Sequence, residues 1–287
     1  MKILGLKVDV DTYQGMKAGV PRLLSLLARE NLKATFYLSI GPDASGRAVF
    51  QLLKNPRFLK KMIRSRAPSL YGFRTALYGT LLPSPAIALS FPSLVRRIME
   101  EGHEVQFHAW DHRRWQDELA DRSEDWIRDW FRRGIEGFKT LTGERPASFG
   151  APAWLVDERV MGIVQGLSFE YLSCTRAAEP FVHEGTNLLE IPSDLPCFEE
   201  LDPGEGEGEI LGKLEPGGLH VLPVHAEVEG GPRGEDFVRL VRAARAMKYV
   251  ACPLGDIRRL LLPMEKGLAR RKFRMELLKG RSVPCAV

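Results

Sequence analysis

The sequence predicts an α/β protein organised around a parallel sheet, and three observations lead there. Short apolar runs alternate with amphipathic helical stretches over most of the 287 residues. A hydrophobic share of 44% against 27% charged residues suits a globular chain with a large core. No internal repeat and no apolar run of membrane-spanning length interrupts the pattern.

The elements follow in order. Ile3–Val10 reads as a short buried strand, Gly19–Glu30 as a helix burying Leu23, Leu24, Leu26 and Leu27, and Lys33–Ile40 as a second strand. Strand, helix, strand implies a right-handed parallel crossover. Beyond residues 44–99 the alternation resumes. A strand is predicted at Glu104–Phe107, a helix at Ser123–Leu141 with Ser123 as its N-cap, and a strand at Ala147–Phe149. Helix Asp157–Gln165 and strand Phe169–Leu172 come next, then strands Asn187–Ile191 and Leu219–Val224. Helix Glu235–Met247, strand Tyr249–Ala251 and helix Leu254–Leu261 close the series. Seven or so strands in this alternation fit either a parallel barrel or an open sheet. The acidic, glycine-rich stretch Glu199–Glu209 reads as a flexible loop.

Charge is strongly segregated. Between Ala44 and Met99 there are ten basic residues and no Asp or Glu; from Met264 to Val287 seven basic residues face Glu265 and Glu276. Residues 49–64 interleave cations with Val49, Phe50, Leu52, Leu53, Phe58, Leu59, Met62 and Ile63, a basic amphipathic pattern suited to an anionic membrane surface or to packing on the body. No zinc finger, RNP-like strand or basic zipper points to nucleic acid. The first residues meet charge too early for a secretory signal. Cys174, Cys197, Cys252 and Cys285 contain no CxxC pair and read as reduced thiols rather than a disulfide frame or zinc ribbon.

In parallel α/β folds the chemistry gathers where strands end, and four segments sit there. Asp9 and Asp11, two apart on the first strand, share a face; carboxylates so close call for a metal, or for one acid and one base. His108 and His112 are four apart, the spacing that turns both rings one way on a helical turn, and with the Asp pair they make a two-His, one-carboxylate set. His225 closes a later strand and could give a proton to a departing amine. The turn Phe149-Gly150-Ala151-Pro152-Ala153-Trp154 could direct backbone N–H groups at an oxyanion. His103, His183 and His220 lack such company and read as structural.

In this order the motifs resemble those of NodB-type polysaccharide deacetylases: Asp9/Asp11, His108/His112, Pro152, and Leu222-Pro223-Val224-His225. Longer blocks, among them Lys7–Thr12, Gly19–Leu24, Ser39–Asp43, Ser69–Gly72, His108–His112 and His225–Gly230, resemble the branch that deformylates undecaprenyl-phosphate-linked 4-deoxy-4-formamido-L-arabinose. The likeness spans residues 1–262, the basic 44–99 insertion included, and leaves 263–287 as a basic tail. It implies a distorted (β/α) barrel of about seven parallel strands with a basic, apolar helical insertion. It also implies one divalent metal, zinc expected, on Asp11, His108 and His112, with Asp9 as base and His225 as acid. Ala153, Trp154 and Arg176 would meet the oxyanion or substrate. The substrate would be a lipid-linked aminosugar destined for lipid A modification. Lys54, Arg57, Lys60, Lys61 and Arg64 would face an anionic membrane, with the protein peripheral on the cytoplasmic side of the inner membrane. The wider family carries an arginine two residues before the third-motif proline to brace the base; here that position is Gly150. Bracing is therefore unassigned, and Arg176 either takes it over or grips the substrate phosphate.

Overall fold

In a computed structural model, which describes residues 2–48, 77–201 and 206–287, strand β1 (Ile3–Val10) is buried along its whole length. Side chains alternate across a strand. Leu4, Leu6, Val8 and Val10 enter the large core beneath the outer helices. Ile3 faces the opposite side, in a second cluster with Tyr37, Tyr171, Val221, Leu254 and Ile257, and Gly5 lies against Ile257, Val221 and Leu254. Lys7 and Asp9 continue that inward face, so the barrel interior grades from apolar at the bottom to charged at the mouth.

β1 is also the hub of pairing. One edge takes β8 (Leu219–His225) over Ile3 to Asp9; the other takes β9 (Val250–Cys252) over Ile3 to Gly5, then β2 (Thr35–Ser39) over Lys7 to Val10. The sheet continues from β2 through β3 (Glu104–Ala109), β4 (Ser148–Phe149) and β5 (Tyr171–Leu172) to β7 (Leu189–Glu190), all parallel. β6 (Phe181–His183) runs antiparallel beside β7, and β10 (Arg270–Arg271) follows β6 in parallel. The result is a curled, mostly parallel half-barrel, the distorted barrel expected. Its gap between β7 and β8 is bridged by Asp194, which accepts from the Val221 N–H at 2.7 Å, and by Leu195, whose N–H reaches Val221 O at 3.3 Å.

Helices cover the outside: α1 (Val20–Arg29), α2 (Pro92–Glu100), α3 (His112–Glu118), α4 (Glu124–Thr142), α5 (Glu158–Val164), α6 (Gly206–Leu214) and α7 (Gly234–Ala246); α8 (Leu254–Leu261) plugs the barrel bottom. Ser123 caps α4 through the Trp126 N–H as read from the sequence, and Gly143 ends it at φ 82°. The sequence reading places no strand at β6 and no helix at α3. The acidic stretch is not simply a loop: Phe198–Glu200 forms a buried 3₁₀ turn and α6 starts at Gly206. Of the basic insertion, α2 is described, while Lys54, Arg57, Lys60, Lys61 and Arg64 lie outside the described residues.

Phe107, Trp115 and Phe149 pack against Trp130 and Phe131 of α4, where Gly134 admits the Phe107 ring; a Cβ there would stand 2.3 Å from Phe107 Cζ. Alanine is favoured over glycine within helices by ~1 kcal/mol, yet overpacking a rigid core costs ~1–3 kcal/mol. Gly134→Ala is therefore expected to lower the urea midpoint of unfolding; an unchanged or raised midpoint would show that the ring moves aside freely.

Candidate metal and hydrolytic site

The inward face of β1 supplies Lys7 and Asp9, and Asp11 follows just past its end. The Lys7 ammonium, fully buried, donates to both Asp9 oxygens at 2.7 and 2.5 Å. It lies 5.0 Å from the Tyr37 ring centre and 5.4 Å from that of Trp154, so the ion pair is lined by two π faces. A buried carboxylate needs such a partner. The reason Gly150 cannot supply one is steric: its Cβ would sit 2.8 Å from Tyr37 Cδ1. Thr12 Oγ1 accepts from the Gly15 N–H at 2.9 Å and Asp43 accepts from the Tyr13 N–H at 2.7 Å, so the turn after β1 is held without using the Asp pair.

Asp11, His108 and His112 converge, their ligand atoms all within 4.8 Å of one another. The rings meet by a route other than a helical turn: His108 ends a strand and His112 opens α3 after the bend capped by Asp111. His108 Nδ1 lies 2.7 Å from Gly150 O, an acceptor only, so the ring donates there and its Nε2 carries the lone pair. That Nε2 faces Asp11 Oδ1 at 3.1 Å, and neither atom has another hydrogen-bond partner among the described residues. His112 Nε2 is 3.4 Å from Asp11 Oδ2. Burial, partly offset by Asp11, pushes His112 down to about 4, leaving a neutral imidazole. Burial resists ionisation of Asp11, but His112, His108 and His225 overcome it and hold the carboxyl below its usual range. One carboxylate and two imidazoles aimed at one point fit a divalent cation, and the N and O donors suit zinc.

His225 ends β8 with its Nε2 3.9 Å from Asp11 Oδ2 and its Nδ1 3.3 Å from Glu199 Oε2. Burial disfavours the imidazolium, yet Glu199, with Cys197 and Asp11, raises its pKa well above the ordinary value. Glu229 Oε2 accepts from the His225 backbone N–H at 2.7 Å, and burial pushes this carboxyl up to about 8. Glu227, buried beside Gly15, is raised well above a normal carboxyl by burial and by Asp11. Glu199 escaped the sequence reading because it lies in the acidic stretch taken for a loop.

The turn after β4 places Ala153 and Trp154 consecutively in left-handed backbone, φ 55° and 54°. Trp154 is buried, with its ring edge-on to His225 at 6.4 Å. Arg176 does not brace Asp9. Its guanidinium binds Glu200 at 2.8 and 3.0 Å, Ser193 O at 2.7 Å and Leu195 O at 3.0 Å, and lies 4.6 Å from the Trp154 ring centre. Buried and fully engaged, it is sited to hold protein groups rather than a phosphate. The other histidines are structural: His183 pairs with Glu190 at 2.9 Å, His220 with Asp194 at 2.6 Å, and His103 accepts from the Ala34 N–H.

Residues 4–172 match the polysaccharide deacetylase family model. The chain is 35% identical to a Shewanella sediminis protein named as a probable 4-deoxy-4-formamido-L-arabinose-phosphoundecaprenol deformylase, ArnD, over 88% of this chain and 85% of the relative. A Wigglesworthia glossinidia brevipalpis protein of the same name is 28% identical over 85% and 88%. Among solved structures, a Mycobacterium smegmatis protein described as a polysaccharide deacetylase shares the fold at TM-score 0.66 and 19% identity, with 96% of both chains covered. Puue allantoinase does so at 0.61 and 16%, over 91% and 90%.

Lys7→Met should strand the Asp9 carboxylate and destabilise the protein by ~3–5 kcal/mol. Joined with Asp9→Asn, the double variant should lose clearly less than the two single losses together, since both charges are gone. Strict additivity in chemical denaturation would show that the two side chains are not energetically coupled.

Proposed function

The chain belongs to the polysaccharide deacetylase family, whose members hydrolyse amide bonds, and from that premise we propose that it removes the formyl group from undecaprenyl-phosphate-linked 4-deoxy-4-formamido-L-arabinose. The observation that carries the reading is the gathering of Asp9, Asp11, His108, His112 and His225 at one barrel mouth, with Asp11 Oδ1 and His108 Nε2 facing each other as paired acceptors. The relatives' names supply the substrate class.

Asp11, His108 and His112 would hold one divalent ion, zinc on this donor set; such an ion lowers the pKa of water and polarises an acyl oxygen. Asp9, held in place by Lys7, accepts a proton from the attacking water. Water oxygen adds to the formyl carbon, and the backbone N–H of Ala153 receives the developing oxyanion, that of Trp154 being bonded to Ala151 O at 3.0 Å. His225, cationic under the influence of Glu199, protonates the sugar nitrogen as the C–N bond breaks. One water is consumed, and formate and the free amine leave. The amine makes the lipid-linked sugar cationic, in keeping with a place in lipid A modification.

No helix among the described residues is long and apolar enough to cross a membrane. Peripheral attachment on the cytoplasmic face would instead fall to the basic, apolar 49–64 stretch, a reading that rests on its sequence alone.

Mass spectrometry of the purified formamido-sugar lipid after incubation with enzyme and zinc should show replacement of formyl by hydrogen. Loss of acetyl from an N-acetyl analogue instead would redirect the assignment to another N-acyl sugar. Asp11→Asn and His112→Ala should lose bound metal and turnover together, whereas Asp9→Asn should retain metal, read by elemental analysis, and lose turnover; metal loss in Asp9→Asn would exchange the two roles.

The pKa of His225 is raised, so its acid form survives above the ordinary histidine range and activity should fall as pH rises through the folded value. Glu199, Cys197, Asp11, Glu227 and Glu229 are the titratable groups acting on it. Glu199→Gln removes the largest effect raising it and should shift the alkaline limb of kcat to lower pH. An unmoved limb would mean that His225 is not the proton donor.

A further inference from the structure

The C-terminal segment reaches the barrel mouth at a point that the proposed chemistry leaves unexplained. A small antiparallel pair, β11 (Met275–Glu276) with β12 (Cys285–Ala286), presents Arg281 to the site. The side chains of its neighbours Arg274 and Lys279 are 80% and 81% exposed, while that of Arg281 is 8% exposed. Arg281 Nη2 donates to Ala153 O at 3.0 Å, and Nη1 donates to Glu200 Oε1 at 2.9 Å. Its guanidinium lies 4.8 Å from the Trp154 ring centre, close to the 4.6 Å of Arg176, which binds the same Glu200. Backbone contacts tighten the junction: Arg176 N–H donates to Ala286 O at 2.7 Å, and Gly280, at φ 83°, approaches so closely that a Cβ would stand 2.4 Å from Glu200 O.

These contacts fall on a strained segment. Two successive non-glycine residues in left-handed backbone cost free energy and persist only where surroundings over-determine them. The indole N–H of Trp154 has no partner among the described residues, so its polar end does nothing to fix the ring. The ring is set by its stacked cations and by its packing on Cys197 and Cys285.

We propose that Arg281 is a positioning residue for the hydrolysis. By joining the Ala153 carbonyl, the Trp154 ring and Glu200, it holds the 152–154 turn in the shape that presents a backbone N–H to the acyl oxygen. Through Glu200 it also anchors the adjacent Glu199 against His225. The inference rests on the hydrolytic reading above, but the clamp itself can be read without turnover.

Arg281→Met and Arg281→Lys would be compared with the wild-type protein in two ways. On the formamido-sugar lipid, Arg281→Met should lose at least ~10-fold in kcat, as expected when an oxyanion donor is displaced. KM should stay within about twofold, because the lost interaction belongs to the transition state. Arg281→Lys, which keeps the charge but not the two-armed donor, should recover part of that kcat. Hydrogen exchange of the peptide spanning 151–155 should quicken by ~10-fold in Arg281→Met while β1 and β8 stay protected. Unchanged kcat per folded molecule, or unchanged exchange at 151–155, would overturn the proposal. If the wild-type protein releases no formate from this lipid, the substrate reading fails, and the exchange measurement alone decides whether Arg281 holds the turn.

Discussion

An ammonium enclosed by the half-barrel, closed on a carboxylate two residues further along its own strand, constrains everything around it. Lys7 and Asp9 could not be taken out of water singly; together, at 2.7 and 2.5 Å, they offset much of their desolvation. The pair in turn dictates its surroundings. Tyr37 must lie flat against it, so Gly150 must carry no side chain, and the carbonyl of that glycine becomes available to orient His108. Trp154 lines another side of the ammonium, which links the strained turn to the same interior. Two carboxylates, the proposed base and the proposed metal ligand, thus stand two residues apart, one committed to an internal cation and the other directed at the mouth.

Above that pair the site is held by an outer ring of charge. Glu229 fixes the backbone at His225 and Glu199 its ring, while Glu200 is shared by Arg176 and Arg281. Burial would raise Glu200, but the two guanidiniums bring it down to about 2, so it stays ionised across the working range. Such an arrangement trades stability for geometry: buried ion pairs contribute little net folding energy, yet each partner specifies where the other must be. Here the specified object is a turn of two left-handed residues that would relax if unsupported. The site is therefore built from the far ends of the chain as much as from the strand termini.

Agreement between pattern and structure was closest where local rules act. The α4 cap at Ser123, the burial of β1, and strand-end positions for Asp9, His108 and His225 follow from alternation and from propensity. His108 and His112 illustrate a subtler case: their convergence was legible, but the cause was not, because a strand-to-helix bend rather than a helical turn brings the rings together. Lys7 could have been found, since a lysine in a continuous apolar run, two residues before Asp9 and four before Asp11, must share their inward face. Arg176 shows the opposite failing, a plausible candidate whose guanidinium turned out to be engaged by Glu200 and two carbonyls.

By itself the sequence determined the class of fold and placed the candidate residues at the strand ends, where the structure gathers them. Periodicity and motif spacing are properties of neighbouring residues and need no knowledge of distant ones. Only the tertiary structure decided which cation braces Asp9, that Glu199 stands behind His225, and that Arg281 closes on Ala153 from more than a hundred residues away. Those choices depend on which side chains fill the same volume once the sheet has curled. No local pattern records that competition for space.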